Sequence, residues 1–130
     1  ICTGEVTVYV RSERRADEMR QWGERLGVRV RPADWADAVR AFDAPLVIST
    51  TPAGGTDDLA AQVPAQVGTL FDVLYEPWPT ALAAAWQARG GPVLGGLDLL
   101  VHQAVFQFHQ FTGDPRSPLT AMREAAAARD

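Results

Sequence analysis

The chain has no lysine and no asparagine, one cysteine and two histidines in 130 residues. All twelve of its basic residues are arginine, so no lysine Schiff base or ammonium proton donor can come from it. A lone Cys2 excludes an internal disulfide and suits a reducing compartment, so a cytoplasmic location is expected. The histidines, His102 and His109, lie two helical turns apart with no carboxylate to complete a set, so no metal site is expected. No nucleophile stands paired with a base, which argues against hydrolase chemistry. No apolar run nears the roughly 18 residues of a membrane span, and no charged-then-apolar leader opens the chain. A net charge of −4 argues against nucleic-acid binding. Also missing is any G-x-G-x-x-G turn, the phosphate-binding signature of dinucleotide folds.

What remains is an ordinary globular composition, 47% hydrophobic and 22% charged, at the length of one domain. We therefore read residues 1–130 as a single domain. The chain begins without methionine and runs at once into ICTGEVTVYV. That start leads us to expect a piece of a longer protein extending upstream of Ile1.

Alternating, β-branched Glu5–Val10 predicts a strand. Ser12 is placed to cap a helix over Glu13–Leu26 that Gly27 stops, with Ala16, Met19, Trp22 or Gly23, and Leu26 at helical spacing. Val28–Arg31 reads as a strand. Asp34 then caps a helix to about Phe42, with Trp35, Ala38, Val39 and Phe42 on one face. Pro45–Thr50 has the continuous apolar run of a buried parallel strand. A short helix near Asp57–Ala61 precedes a strand at Thr69–Leu74, a helix at Pro79–Arg89 and a strand at Pro92–Leu94. Two helices close the chain, near Gly96–Phe111 and Leu119–Ala128.

Strands alternating with helices imply an α/β fold, a Rossmann-like doubly wound parallel sheet with C-terminal helices. It is incomplete, because the first βα unit is missing. In the order 3-2-1-4-5-6, the absent strand 1 lies between Glu5–Val10 and Pro45–Thr50.

Four segments carry candidate chemistry. In VYVRSERR, Arg11 follows a strand end, and Arg14 and Arg15 open the next helix. An acidic residue at that place binds the ribose 2′-hydroxyl of NAD, whereas arginine suits the 2′-phosphate of NADP. In STTPAGG, Ser49–Gly55, small hydroxyl residues at a strand end let the backbone pass close to a dinucleotide. Tyr75, ending Asp72-Val73-Leu74-Tyr75, can offer its hydroxyl at the sheet's carboxyl edge while its ring packs. Trp78, set between two prolines, is expected to pack the turn. In GGLDLLVHQAVFQFHQF, the stripe Leu97, Leu100 or Val101, Ala104, Phe108 and Phe111 is expected in the core. Gly96 permits close backbone approach. Gln103, Gln107 and Gln110 line another face.

In this order and spacing the segments resemble the C-terminal, NADP-binding part of shikimate dehydrogenase, essentially end to end. That family's N-R-T-x-x-R is matched by Arg11, Ser12 and Arg15, while Val10 departs at the Asn position and removes one polar contact. Its N-A/S-T strand end corresponds to Ser49-Thr50-Thr51, and its D-x-x-Y to Asp72–Tyr75. Its G-L-x-M-L-x-x-Q matches Gly96–Gln103, with Leu99 standing for Met. The resemblance implies NADP as cofactor, held by Arg11, Ser12, Arg15, Thr50, Val73 and Gly96. It implies shikimate or 3-dehydroshikimate as substrate, held by Tyr75 and Gln103. The implied activity is reversible NADP-dependent reduction of 3-dehydroshikimate to shikimate, in aromatic amino acid biosynthesis. No catalytic residue lies in these 130 residues; the family's Lys–Asp pair is expected upstream, and the isolated chain is expected to be inactive. A homodimer of the full-length protein is compatible with the resemblance. The competing readings are a quinate/shikimate-type or aminoshikimate dehydrogenase, and a noncatalytic Rossmann-like interaction module.

Overall fold

In the computed structural model, residues 4–128 are described; Cys2 lies outside them. The chain divides into two compact units, Ile1–Ala44 and Pro45–Asp130.

The first unit is one βαβ crossover followed by a tight helix. Strand β1 (Glu5–Val10) pairs in parallel with β2 (Arg29–Asp34), from Glu5 opposite Arg29 to Val10 opposite Asp34. β2 runs three residues beyond its predicted end because Pro32 does not break it. As β2 pairs only with β1, Pro32 needs no ladder donor on its other side. Helix α1 (Glu13–Leu26) starts where predicted, Ser12 Oγ accepting from Arg15 N at 3.4 Å, and stops at Gly27 with φ 66°. Its packed face runs through Ala16 and Gly23, while Trp22 and Leu26 are exposed. A Cβ on Gly23 would lie 2.6 Å from Val30 Cγ2, so glycine is what lets α1 sit against β2. Asp34 caps the next helix, accepting from Ala36 N at 2.8 Å, but Trp35–Asp43 winds as a 3-10 helix rather than the expected α-helix. Apolar spacing buries Ala38 and Phe42 in either form, so the pattern could not separate them.

The second unit holds three parallel strands in the order β3-β4-β5: Leu46–Ser49, Thr69–Asp72 and Val93–Leu94. A four-residue helix α2 (Asp57–Ala60) follows β3, and α3 (Ala81–Ala88) follows β4. Alanine-rich α3 packs against β4 and β5, and its Leu82, Ala83 and Trp86 are, like Leu70 of β4, fully or almost fully buried. Each large side chain so buried contributes about 1.5–3 kcal/mol. The Trp86 indole N–H donates to Gly68 O at 2.9 Å, so burying its polar end leaves no unmet donor. β3 departs from the reading of a strand covered on both sides: Val47 and Ser49 are buried, whereas Leu46 and Ile48 are about half exposed. Helix α4 (Gly96–Thr112) and helix α5 (Leu119–Ala127) end the chain. The apolar stripe expected in the core is only partly covered. Val101 is buried, but Leu97, Leu100 and Phe111 are exposed.

The doubly wound, parallel α/β class is the one expected. Among the described residues β1 pairs only with β2, and β3 pairs only with β4.

Candidate functional site

In the first unit, the end of β1, the start of α1 and the end of β2 enclose a cavity of about 310 Å³. Arg11 and Ser12 line it, with Glu13 and Arg20 from α1 and Asp34 from β2. Two residues, Arg11 and Ser12, make the whole strand-to-helix turn, which puts a guanidinium beside the helix N-terminus, where backbone N–H groups and the dipole favour anions. The Arg11 guanidinium lies over the Trp35 ring, 4.5 Å from its centroid. Val10, at the position where the family has Asn, also lines the cavity and offers it no side-chain donor.

Arg15 is held elsewhere. It donates to Glu18 Oε2 at 2.7 Å, Arg14 binds the other Glu18 oxygen, and neither arginine lines the cavity. Bonded first by Arg15, the Glu18 carboxyl sits below its ordinary pKa. Arg20 takes the place facing the cavity, with Glu13 at 3.1 Å and Asp17 at 2.6 Å raising its pKa. Sequence reasoning missed Arg20 and the contact of Trp35 with Arg11. A usable signal existed for Arg20: Glu13, Ala16 and Arg20 fall at i, i+3 and i+7, on one helical face.

In the second unit the candidate residues gather where β3 and β4 end. Ser49 is buried, its hydroxyl 3.3 Å from Thr51 Oγ1, and Thr50 between them is exposed at the strand's carboxyl end. Val73 N donates to Ser49 O at 3.0 Å, which extends the β3–β4 pairing to the half-buried Val73. Asp72 is fully buried. Its carboxylate accepts from Thr80 Oγ at 2.8 Å and from Leu74 N at 3.2 Å, while Thr80 Oγ caps α3 through Ala83 N at 3.1 Å. Asp72 therefore ties the turn carrying Tyr75 to the start of α3.

Gly96 has a reason for lacking a side chain that sequence alone did not show. A Cβ there would stand 2.0 Å from Val73 O, and Gly96 N donates to Leu74 O at 2.9 Å. The glycine seats α4 directly on the exit of β4. Gln103 is exposed and lies seven residues on, two turns along the same helical face as Gly96. Tyr75, 57% exposed, lines a second cavity of about 610 Å³ with Trp78, Leu97, Asp98, Val101 and Arg123; Gln103 is not among the residues lining it. Trp78 packs over Gly95, where a Cβ would meet its ring at 3.0 Å.

Residues 96–127 match the family model described as the shikimate 5′-dehydrogenase C-terminal domain. The shikimate dehydrogenase (NADP(+)) of Oleidesulfovibrio alaskensis is 37% identical over 110 residues, covering 78% of this chain and 38% of that protein. The crystal structure of Mycobacterium tuberculosis shikimate dehydrogenase superposes with a TM-score of 0.80 at 42% identity, covering 96% of this chain and 47% of that one. Quinate dehydrogenase from Corynebacterium glutamicum, solved in complex with NAD, gives 0.79 at 27% identity, covering 95% and 46%. The chain thus spans less than half the length of these three relatives. The resemblance drawn from the residue motifs is borne out.

Proposed function

We infer that these 130 residues are the NADP-binding part of a shikimate dehydrogenase, an oxidoreductase that interconverts 3-dehydroshikimate and shikimate. The observation that carries this is the likeness to the Mycobacterium tuberculosis enzyme, 42% identical over 96% of the chain. The reading of residues 1–130 as one domain goes with it, as does a first βα unit supplied from outside these residues.

The cofactor fits the first unit's cavity on the chemistry of its donors. Arg11 and the α1 N-terminus suit a ribose 2′-phosphate, and the wall that would face it has room for one. Ser12 Oγ, which accepts from Arg15 N, keeps its own hydrogen to donate. Arg15 joins them by leaving Glu18, an exposed pair that gives up little on breaking. At the β3 and β4 ends, Thr50, Val73 and Gly96 form the nicotinamide side. When bound, NADPH supplies the hydride. The chain's own task is to hold cofactor and ketone close and aligned, which is where most of the rate gain of such a transfer arises. Tyr75 gives the substrate a phenolic hydroxyl, and Gln103 gives it both an amide donor and a carbonyl acceptor. The proton that the carbonyl oxygen needs comes from the Lys–Asp pair expected outside this chain, since no lysine is present in it.

The test is a titration of the full-length protein with NADP and shikimate, followed by initial rates. Saturable NADP-dependent shikimate oxidation is expected, with Tyr75→Phe and Gln103→Ala raising the KM for shikimate. Absence of turnover with both ligands present would refute the enzyme reading. A second reading, quinate oxidation with NAD, is favoured by the 0.79 TM-score of the Corynebacterium enzyme. Arg11 at the β1 end weighs against it, because NAD has no 2′-phosphate to engage a guanidinium.

A further inference from the structure

We propose that Trp35 is a positioning residue for cofactor selectivity: its indole face holds the Arg11 guanidinium where a 2′-phosphate must bind. The proposal rests on the NADP reading above and adds to it a residue outside the motifs that carry the family resemblance. Trp35 opens the 3-10 helix directly after β2 and is half-buried. Arg11 is an exposed side chain on a two-residue turn, with its guanidinium carbon 4.5 Å from the Trp35 centroid. A long exposed arginine loses many rotamers when it grips an anion. An aromatic face that already restrains it removes part of that loss before the ligand arrives.

The electrostatics of the cavity give the restraint a purpose. Glu13 and Asp34 share its wall, and each carboxylate competes with a phosphate for a nearby guanidinium. Glu13 is engaged by Arg20, and Asp34 Oδ1 accepts from Ala36 N. Trp35 supplies a hold on the cation side through its ring face over Arg11.

Because the effect belongs to the 2′-phosphate, it is read with two small probes that need no catalytic half: 2′,5′-ADP, which carries that phosphate, and 5′-AMP, which does not. Isothermal titration of the full-length protein should show tighter binding of 2′,5′-ADP. Trp35→Leu, which keeps apolar volume and removes the ring, should weaken 2′,5′-ADP by about five-fold and leave 5′-AMP unchanged. In Arg11→Ala the same tryptophan substitution should have no further effect, since the partner it positions is gone. Equal losses for both probes, or an effect of Trp35→Leu that persists without Arg11, would overturn the proposal. Should Trp35→Leu fail to fold by circular dichroism, Trp35→Phe carries the test. Its smaller ring face should lose part of the preference, and full retention would overturn the positioning role. If the unsubstituted protein does not prefer 2′,5′-ADP, the NADP reading fails and the proposal falls with it. If the preference exists and depends on Arg11 but not on Trp35, only the proposal fails.

Discussion

Replacing Gly96 by alanine is the sharpest test of how the substrate edge is built. On propensity alone the change favours the helix by about 1 kcal/mol, because Gly96 begins α4. The structure opposes it. The new Cβ would stand 2.0 Å from Val73 O, 2.7 Å from Val73 C and 2.9 Å from Leu74 C, all of them backbone atoms. Real Cβ contacts do not fall below 3.0 Å, so helix and strand exit must part by about 1 Å. No side-chain rotation can absorb this. Overpacking of that kind costs about 1–3 kcal/mol. Parting also stretches the 2.9 Å bond from Gly96 N to Leu74 O, worth about 1 kcal/mol net. After the propensity gain, Gly96→Ala should destabilise by about 1–3 kcal/mol, a fall of roughly 3–12 °C in Tm. The assay is thermal and urea unfolding, with Gly113→Ala as comparator. Gly113 has open space around it but φ +67°, so it should lose only about 1 kcal/mol, from backbone strain. A Gly96→Ala protein as stable as the original would refute the inference that glycine is kept there by the α4–β4 contact.

Three further predictions concern the cofactor and substrate edges. Arg11→Asp should weaken NADP about 10- to 100-fold, the worth of a charge-assisted pair, and NAD far less; equal losses in fluorescence titrations would remove Arg11 as the phosphate reader. Glu18→Gln should tighten 2′,5′-ADP by about two-fold at neutral pH, because Glu18 holds Arg15 away from the ligand. The Glu18 carboxyl is depressed, chiefly by its bond from Arg15, so its pairing is complete at neutral pH and is lost as pH falls through the depressed value. The gap between the two proteins should therefore close only as pH falls below the ordinary carboxylate range, and a gap independent of pH would point to another cause. Asp72→Ala should cost about 2–4 kcal/mol in urea unfolding, since the buried Thr80 hydroxyl loses its acceptor and the turn its tie, while 2′,5′-ADP binding is preserved.

The elements were legible where pattern and punctuation agreed. Glu5–Val10 alternates, Ser12 caps and Gly27 stops, and both elements fall on the residues predicted. Legibility failed where one signal serves two structures. Proline marks a break in most strands, yet Pro32 sits inside β2 because that strand has a free side. Apolar spacing buried Ala38 and Phe42 correctly but could not specify hydrogen-bond span, and a 3-10 helix resulted. At the candidate site, Arg11 was legible because it follows β1 directly, and Tyr75 because it lies three residues past the carboxyl end of β4. Arg15 was placed beside the phosphate by motif spacing, and only coordinates reveal the Glu18 carboxylate that holds it. Trp35 was placed on one helix face with Ala38 and Phe42, and spacing could not show that its ring meets Arg11.

Asp72, Thr80 and Gly96 together hold the strand exit that carries the motif residues around them. Tyr75 is exposed and would be a poor substrate contact if the turn carrying it drifted. Three restraints prevent that: the Asp72 carboxylate bonded to Leu74 N, the same carboxylate bonded to the Thr80 cap of α3, and the Leu74 carbonyl taken by Gly96 N. None of these groups need touch a ligand, and each acts within three residues of Tyr75 along the strand exit or directly against it. The Asp and Gly of the two motifs thus hold the frame, and Tyr75 and Gln103 are what the frame presents. The division predicts opposite signatures. Losing Asp72 or Gly96 should appear first in unfolding, whereas losing the Tyr75 hydroxyl should leave stability intact and appear only in the KM for substrate.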